Sequence, residues 1–183
     1  VLDGNARTAA KFARVADINL HKIQLLNTMQ DSKSAMLMHY RLMLLKQDGQ
    51  LDADFAHIKQ LNERYDTARA AFETIPRDAN GDAFVQRIES ARAATHAADQ
   101  LLDAALKTGD YPGAVAILLE QVRPHGAAWT QALAEYTDYQ SQLTADSREQ
   151  YRDIEQRTRL LILVVGALGL LLGCLTAWAI NRS

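Results

Sequence analysis

The stretch Leu160–Ile180, LLILVVGALGLLLGCLTAWAI, runs for 21 residues without a charge. A bilayer core takes about 20 such residues as a helix. Twelve of them are Leu, Ile or Val, each favouring insertion by about 0.3–0.6 kcal/mol at mid-membrane. The alternative is a buried helix in a soluble core. A helix apolar on every face needs apolar neighbours all round, and a chain this short has too few. The stretch is therefore expected to span a membrane. Trp178 stands where an interfacial aromatic would sit, and Arg157, Arg159 and Arg182 lie just outside the run.

A formal net charge of −2 over 183 residues, with no dominant basic patch, argues against a general attraction for nucleic acid. The single cysteine, Cys174, lies inside the apolar run and can neither staple a soluble domain nor build a zinc site there. Asp153 and Glu155 offset the arginines on the near side, so charge alone leaves the orientation of the span open. The chain opens at Val1 with no charged-then-apolar leader, and a further segment is expected before it.

Three short polar breaks precede the run: Gln47–Gln50, Arg77–Asp82 and Thr108–Asp110, each combining Gly with Asp or Asn. Between them β-branched residues are scarce and no stretch alternates for long, so the chain reads as helix throughout. A first helix is expected from about Asn5 to Gln47, its seam carried by Val15, Met29, Met36 and Met43, with Lys22 interrupting, and by Ile18, Leu25, Ser32 and Tyr40. A second, about Asp52 to Ile75, turns Phe55, Ile58, Tyr65, Ala68 and Phe72 to one side and stops at Pro76. A third, about Asp82 to Lys107, carries Phe84, Ile88, Ala91, Thr95, Ala98 and Leu102. The fourth opens on Asp110 as N-cap with Pro112 behind it, and Val115, Val122, Trp129, Tyr136 and Leu143 recur every seven residues. Nothing stops this helix before the apolar run except a kink expected at Pro124, whose missing N–H and ring disturb the carbonyl of Glu120.

Two long and two short helices joined by short connections make antiparallel neighbours. The expected fold is all-α, an antiparallel up-down-up-down four-helix bundle whose long fourth helix continues into a transmembrane helix. Residues 1–159 form the bundle, 160–180 the span, and 181–183 the start of whatever follows. Long helices that outrun the short pair leave seams uncovered, which a second copy of the chain would cover.

This layout resembles the four-helix-bundle sensor domain of bacterial methyl-accepting chemotaxis receptors. The segment MLMHYRLMLLKQDGQLDADFAHIKQLNERYDTA, Met36 to Ala68, is similar to that family's first hairpin. TGDYPGAVAILLEQVRPHGAAWTQALAEY, Thr108 to Tyr136, is similar to the opening of its last helix. The resemblance implies a periplasmic bundle, a homodimer formed through the first helix, a span before Val1, and a HAMP-like linker from Asn181 to Ser183 leading to a cytoplasmic signalling hairpin. It also implies a small-molecule ligand. Members that bind small carboxylates use arginines near the membrane-distal end of the first helix, where this chain has one, Arg41.

From Ala35 to Leu45 the first helix is apolar nearly all round, so Arg41 would lie at or beside an interface. There it can grip a carboxylate with two hydrogen bonds, or lay its stem over apolar surface with its head in water. Counting down from the distal turns puts Arg64, Tyr65, Thr95 and Arg123 in one layer. A small organic anion is expected there, held by Arg64 or Arg123 and oriented by Tyr40, Tyr65 and Thr95. The opposing possibility is that Thr95 bonds back to Ala91 and the arginines are solvated.

Enzymatic readings find little support. The five histidines are scattered singly, and the one carboxylate-x-x-His pair, Asp54 and His57, lacks the second pair a di-iron bundle needs. No phosphate loop or nucleophile elbow occurs, and neither a cofactor nor a metal is expected. Rival readings are the same bundle on a membrane histidine kinase or cyclase, and a tail-anchored helical interaction protein without a ligand.

Overall fold

The computed structural model describes residues 2–46 and 51–181, with side chains at 14–46, 51–150 and part of 152–169. The break expected at Gln47–Gln50 lies outside the described residues, as do Arg182 and Ser183 of the expected linker. Every element described is helical: α1 (Leu2–Lys46), α2 (Asp52–Glu73), α3 (Ala79–Thr108), α4 (Tyr111–Ile117), a π-turn (Leu118–Val122) and α5 (Arg123–Asn181).

The helix ends follow local chemistry. Asp78 accepts a hydrogen bond from the Gly81 amide at 2.7 Å, and this cap starts α3 three residues before the expected Asp82. At its other end Gly109 takes φ +74°, a left-handed value that suits glycine, and Asp110 N–H returns to the Ala105 carbonyl. Asp110 then caps α4 through the Gly113 amide at 3.0 Å, with Pro112 in the first turn.

The chain divides into two units, Asp17–Gln142 and Val1–Ala16 with Leu143–Ser183. In the first, cross-helix pairs report direction. Arg69 meets Glu89 and Arg92 meets Asp66, so partners climb α2 as they descend α3. Arg87 meets Glu135 and Phe84 packs on Tyr139, the same opposed sense for α3 and α5. Tyr65 touches Trp129 and Phe72 touches Tyr136, stepping together, so α2 and α5 run parallel. These directions are those of an up-down-up-down bundle.

The buried row of α1 is Asn19, Lys22, Leu26, Met29, Lys33, Met36, Tyr40 and Met43, alternating steps of three and four. Lys22 does not interrupt the seam; it is part of it. Val15 and Ile18, expected on the seam, are exposed. Along α4, the π-turn and α5, Val122, Trp129 and Tyr136 are buried as expected, but Val115 is exposed and Ala114 is buried instead. The π-turn is the reason. Arg123 N–H bonds to the Leu118 carbonyl, five residues back, and the extra residue shifts the buried row upstream by one. Pro124, which has no N–H to give Glu120, follows immediately, so the expected kink is taken up as a wider turn.

The second unit contains the opening of α1 and the remainder of α5, both continuous helix. Leu160–Val165 are exposed. Among the described residues no helix is long and apolar enough to cross a membrane. The described side chains of the apolar run, 160–167 and Gly169, amount to about half of what a bilayer requires. The rest of the run expected to span, including Cys174 and Trp178, lies outside the described side chains.

Candidate functional site

Within the unit of residues 17–142, one cavity lies where α1, α3 and the start of α5 meet. Lys33, Met36, Leu37 and Tyr40 line it from α1, Thr95 and Asp99 from α3, and Val122, Gly126 and Trp129 from the other side. Its free space is about 260 Å³, part of it continuous with solvent, and its closed part has room for about one water.

Lys33 is the cation of this site. It is buried on the α1 seam, and its Nζ donates to Thr130 Oγ1 at 2.8 Å. The Thr130 hydroxyl in turn donates to the Gly126 carbonyl. Gly126 packs against the ammonium: a Cβ there would stand 3.1 Å from Nζ, and the end of the lysine would have to give by a few tenths of an ångström. Burial lowers the Lys33 pKa, Asp99 opposes that shift, and Arg41 adds to it.

Asp99 faces the same cavity, and its carboxyl is pushed up to about 7, first by burial and then by the neighbouring Asp103, with Lys33 offsetting part. Asp103, one turn along, is raised by burial and held back by a hydrogen bond from the Tyr40 hydroxyl, by Lys107 and by His96. Tyr40 is itself raised, by burial first and then by the two carboxylates. Below this layer the Trp129 indole N–H donates to the buried Tyr65 hydroxyl at 3.2 Å, with the rings edge-on at 4.9 Å and the Arg92 guanidinium over Tyr65. Burial pushes Tyr65 up to about 12.

The residues singled out from sequence fall into three groups. Tyr40 and Thr95 line the cavity, and Thr95 also bonds back to the Ala91 carbonyl at 2.8 Å. Tyr65 reaches it through Trp129. Arg41, Arg64 and Arg123 are exposed and do not line it. Lys33 and Asp99 were not singled out. Both sit at heptad distance from seam residues, Lys33 seven after Leu26 and seven before Tyr40, Asp99 seven before Leu106. That spacing was the available signal.

Two further polar clusters occur in this unit. Near the first hairpin Lys46 contacts both oxygens of buried Asp54 at 3.2 Å, with His39 Nδ1 at 3.8 Å and the His57 ring against His39. Among the described residues no group of three or more such side chains is arranged to hold a metal. At the α2–α3 turn Asp78 accepts from the Tyr139 hydroxyl as well as from Gly81, and buried Lys22 lies in its field.

Heptad seams, an antiparallel bundle and a mainly apolar cavity that holds Lys33 and Asp99 are the features of this unit. The model of the four-helix-bundle sensory module for signal transduction matches residues 8–154. The chain belongs to this family of chemotaxis-receptor sensory modules. Neither curated proteins nor solved structures give a match. Both α1 and α5 extend beyond the Asp17–Gln142 unit.

Proposed function

We propose that this module is the periplasmic sensor of a transmembrane chemotaxis receptor, that it works as a homodimer through α1, and that it binds a small organic anion in the Lys33 cavity. The carrying observation is the buried Lys33 ammonium, set among Tyr40, Thr95 and Trp129. An ammonium at a small aromatic-lined opening can take a carboxylate by a charge-assisted hydrogen bond. The carboxylate would displace water, and the adjacent π-turn, with its looser backbone, is the element able to give way. Arg41, Arg64 and Arg123 stand outside the cavity, where they can draw an anion in or grip a second carboxylate. Family membership supports the receptor, the Leu160–Ile180 run supports the membrane anchor, and exposed Met38, Leu42 and Leu45 on α1 support a partner helix.

Binding would favour one of two packings of α5 against α1, a shift of about 1–2 Å of the kind that packed helices accommodate. The test is calorimetry on the 183-residue chain in detergent with a panel of dicarboxylates and tricarboxylates. A binding heat that falls at least about tenfold in affinity in Lys33→Met is expected, since a hydrogen bond to a charge contributes about 1.5–3 kcal/mol. Binding that Lys33→Met leaves unchanged would remove the cavity from the site. Unchanged affinity in Arg123→Ala would remove Arg123.

A further inference from the structure

The cavity holds two charged groups that do not close on each other. Lys33 and Asp99 line the same small space, yet Lys33 donates to Thr130 of α5 and feels Asp99 only through space. A carboxylate in such a place is half-buried and has no hydrogen bond to the Lys33 ammonium. It has instead a second carboxyl, Asp103, one turn away on its own helix.

We propose that the Asp99 side of this cavity is a proton-binding site, and that the bundle reports the acidity of its surroundings. This uses the same cavity as the ligand reading but does not depend on which anion, or any, enters it.

The groups facing Asp99 are few. From α1 come the Lys33 ammonium and the Tyr40 hydroxyl, with Arg41 farther out. From α5 come Thr130 through Lys33, and Trp129, neither of which titrates. On α3 itself Asp103 is the neighbour, and its own surroundings are Tyr40, Lys107 and His96. Tyr40 is raised, away from neutrality, and the Lys33 ammonium is shifted down from its usual value while Asp99 opposes the shift. Asp99, pushed up to about 7, is the group placed to change charge near neutral pH.

The consequence is mechanical because Lys33 has two places to go. With Asp99 ionised, its ammonium is attracted towards α3; with Asp99 protonated that pull vanishes, and the bond to Thr130 of α5 is its remaining anchor. One proton thereby changes which helix α1 grips. Gly126 leaves room for the ammonium at its α5 position, since a Cβ there would stand 3.1 Å from Nζ. α1 and α5 are the helices that run beyond this unit.

The test is a pH titration of the full chain in detergent, with no organic anion present, so that it can fail independently of the calorimetry above. Aspartates labelled at the side-chain carboxyl carbon are followed by carbon-13 NMR from pH 5 to 9. One resonance should titrate near pH 7, vanish in the near-isosteric Asp99→Asn, and move up by about one unit in Lys33→Met, where the opposing cation is gone. In the same samples, carrying Trp178→Phe so that Trp129 is the sole tryptophan, indole fluorescence should change with the same midpoint. Titration of every aspartate below pH 5, or a neutral-range resonance that survives Asp99→Asn and so belongs to Asp103, overturns the site. A Trp129 signal flat through the midpoint, or one that persists in Asp99→Asn and so follows His96 or His125, overturns the reporting. Should Asp99→Asn lose its helical circular dichroism, Asp99→Ser is read by the same criteria.

Discussion

Replacing Lys33 by Met should stabilise the bundle at pH 6 and cease to do so at alkaline pH. The side chain is 6% exposed and lies between Met29 and Met36 on the α1 seam, so a methionine of similar length fits among its own kind. The ammonium is held in a place where burial lowers its pKa, which means that folding disfavours its charge. Removing that cost and burying about one more apolar carbon adds about 0.8 kcal/mol from transfer alone. Against this stands the hydrogen bond to Thr130, a charged one, at about 1.5–3 kcal/mol. Buried ions replaced by well-fitting apolar side chains have in general given about 1–4 kcal/mol of stabilisation, provided no partner charge is stranded. At pH 6 none is stranded, because Asp99 with a carboxyl near 7 is mostly protonated. A net gain of about 1 kcal/mol is the expected outcome.

The pH dependence makes this decisive. A carboxyl raised in the folded state contributes stability below its unfolded value, and loses it as pH climbs to the folded value. For Asp99 the decline runs from about 4 to about 7 and is flat above. Without Lys33 the folded value rises further, by about one unit, so the variant goes on losing stability for one unit after the wild type has stopped. That costs it about 1.4 kcal/mol relative to wild type. The two stability curves should therefore cross between pH 7 and 9. Urea denaturation of the chain in detergent, followed by circular dichroism at half-unit steps, reads this directly. A variant less stable than wild type at pH 6, or a difference that does not change with pH, would refute the reasoning about both charges.

Trp129→Phe strands the buried Tyr65 hydroxyl and Tyr65→Phe strands the buried Trp129 indole N–H; each should cost about 1–3 kcal/mol by the same denaturation assay, and the double variant, which removes both partners, less than the sum of the two. Tyr139→Phe removes the hydroxyl that does most to hold Asp78 below the usual carboxylate range. A carboxyl lowered in the folded state contributes stability above its unfolded value and loses it as pH falls through the folded one. The variant should thus be less stable at pH 7, with the deficit closing as pH drops below 4, read from thermal melts across that range.

The bundle was legible in the chain because its evidence is periodic. Gly with Asp or Asn marks the α3–α4 connection, and seams through Met29, Met36 and Met43, or Trp129 and Tyr136, state which faces turn inward. The cavity was half legible for a reason of the same kind. A pattern reader takes lysine as solvent-facing, so Lys22 reads as an interruption and Lys33 is passed over, although Lys33 completes the three-four spacing of the buried row. Arginines drew attention because they suit carboxylates, yet Arg64 and Arg123 are on exposed faces, and register alone decides that. The π-turn was hidden for a different reason. Pro124 announces a fault in the hydrogen-bond ladder but does not say whether the backbone bends or widens; here it widens, and one added residue exchanges Val115 for Ala114 at the core. These two illegible features meet at the same place. The wide turn borders the cavity through Val122, and the misread lysine supplies its charge. Sites that bind or switch are where local rules are expected to be broken, because a charge on a seam and a fault in a helix both cost stability that a purely structural bundle would not forgo. Their coincidence at Lys33 and Val122 is the reason the proposed site is placed in this cavity, with the exposed arginines outside it.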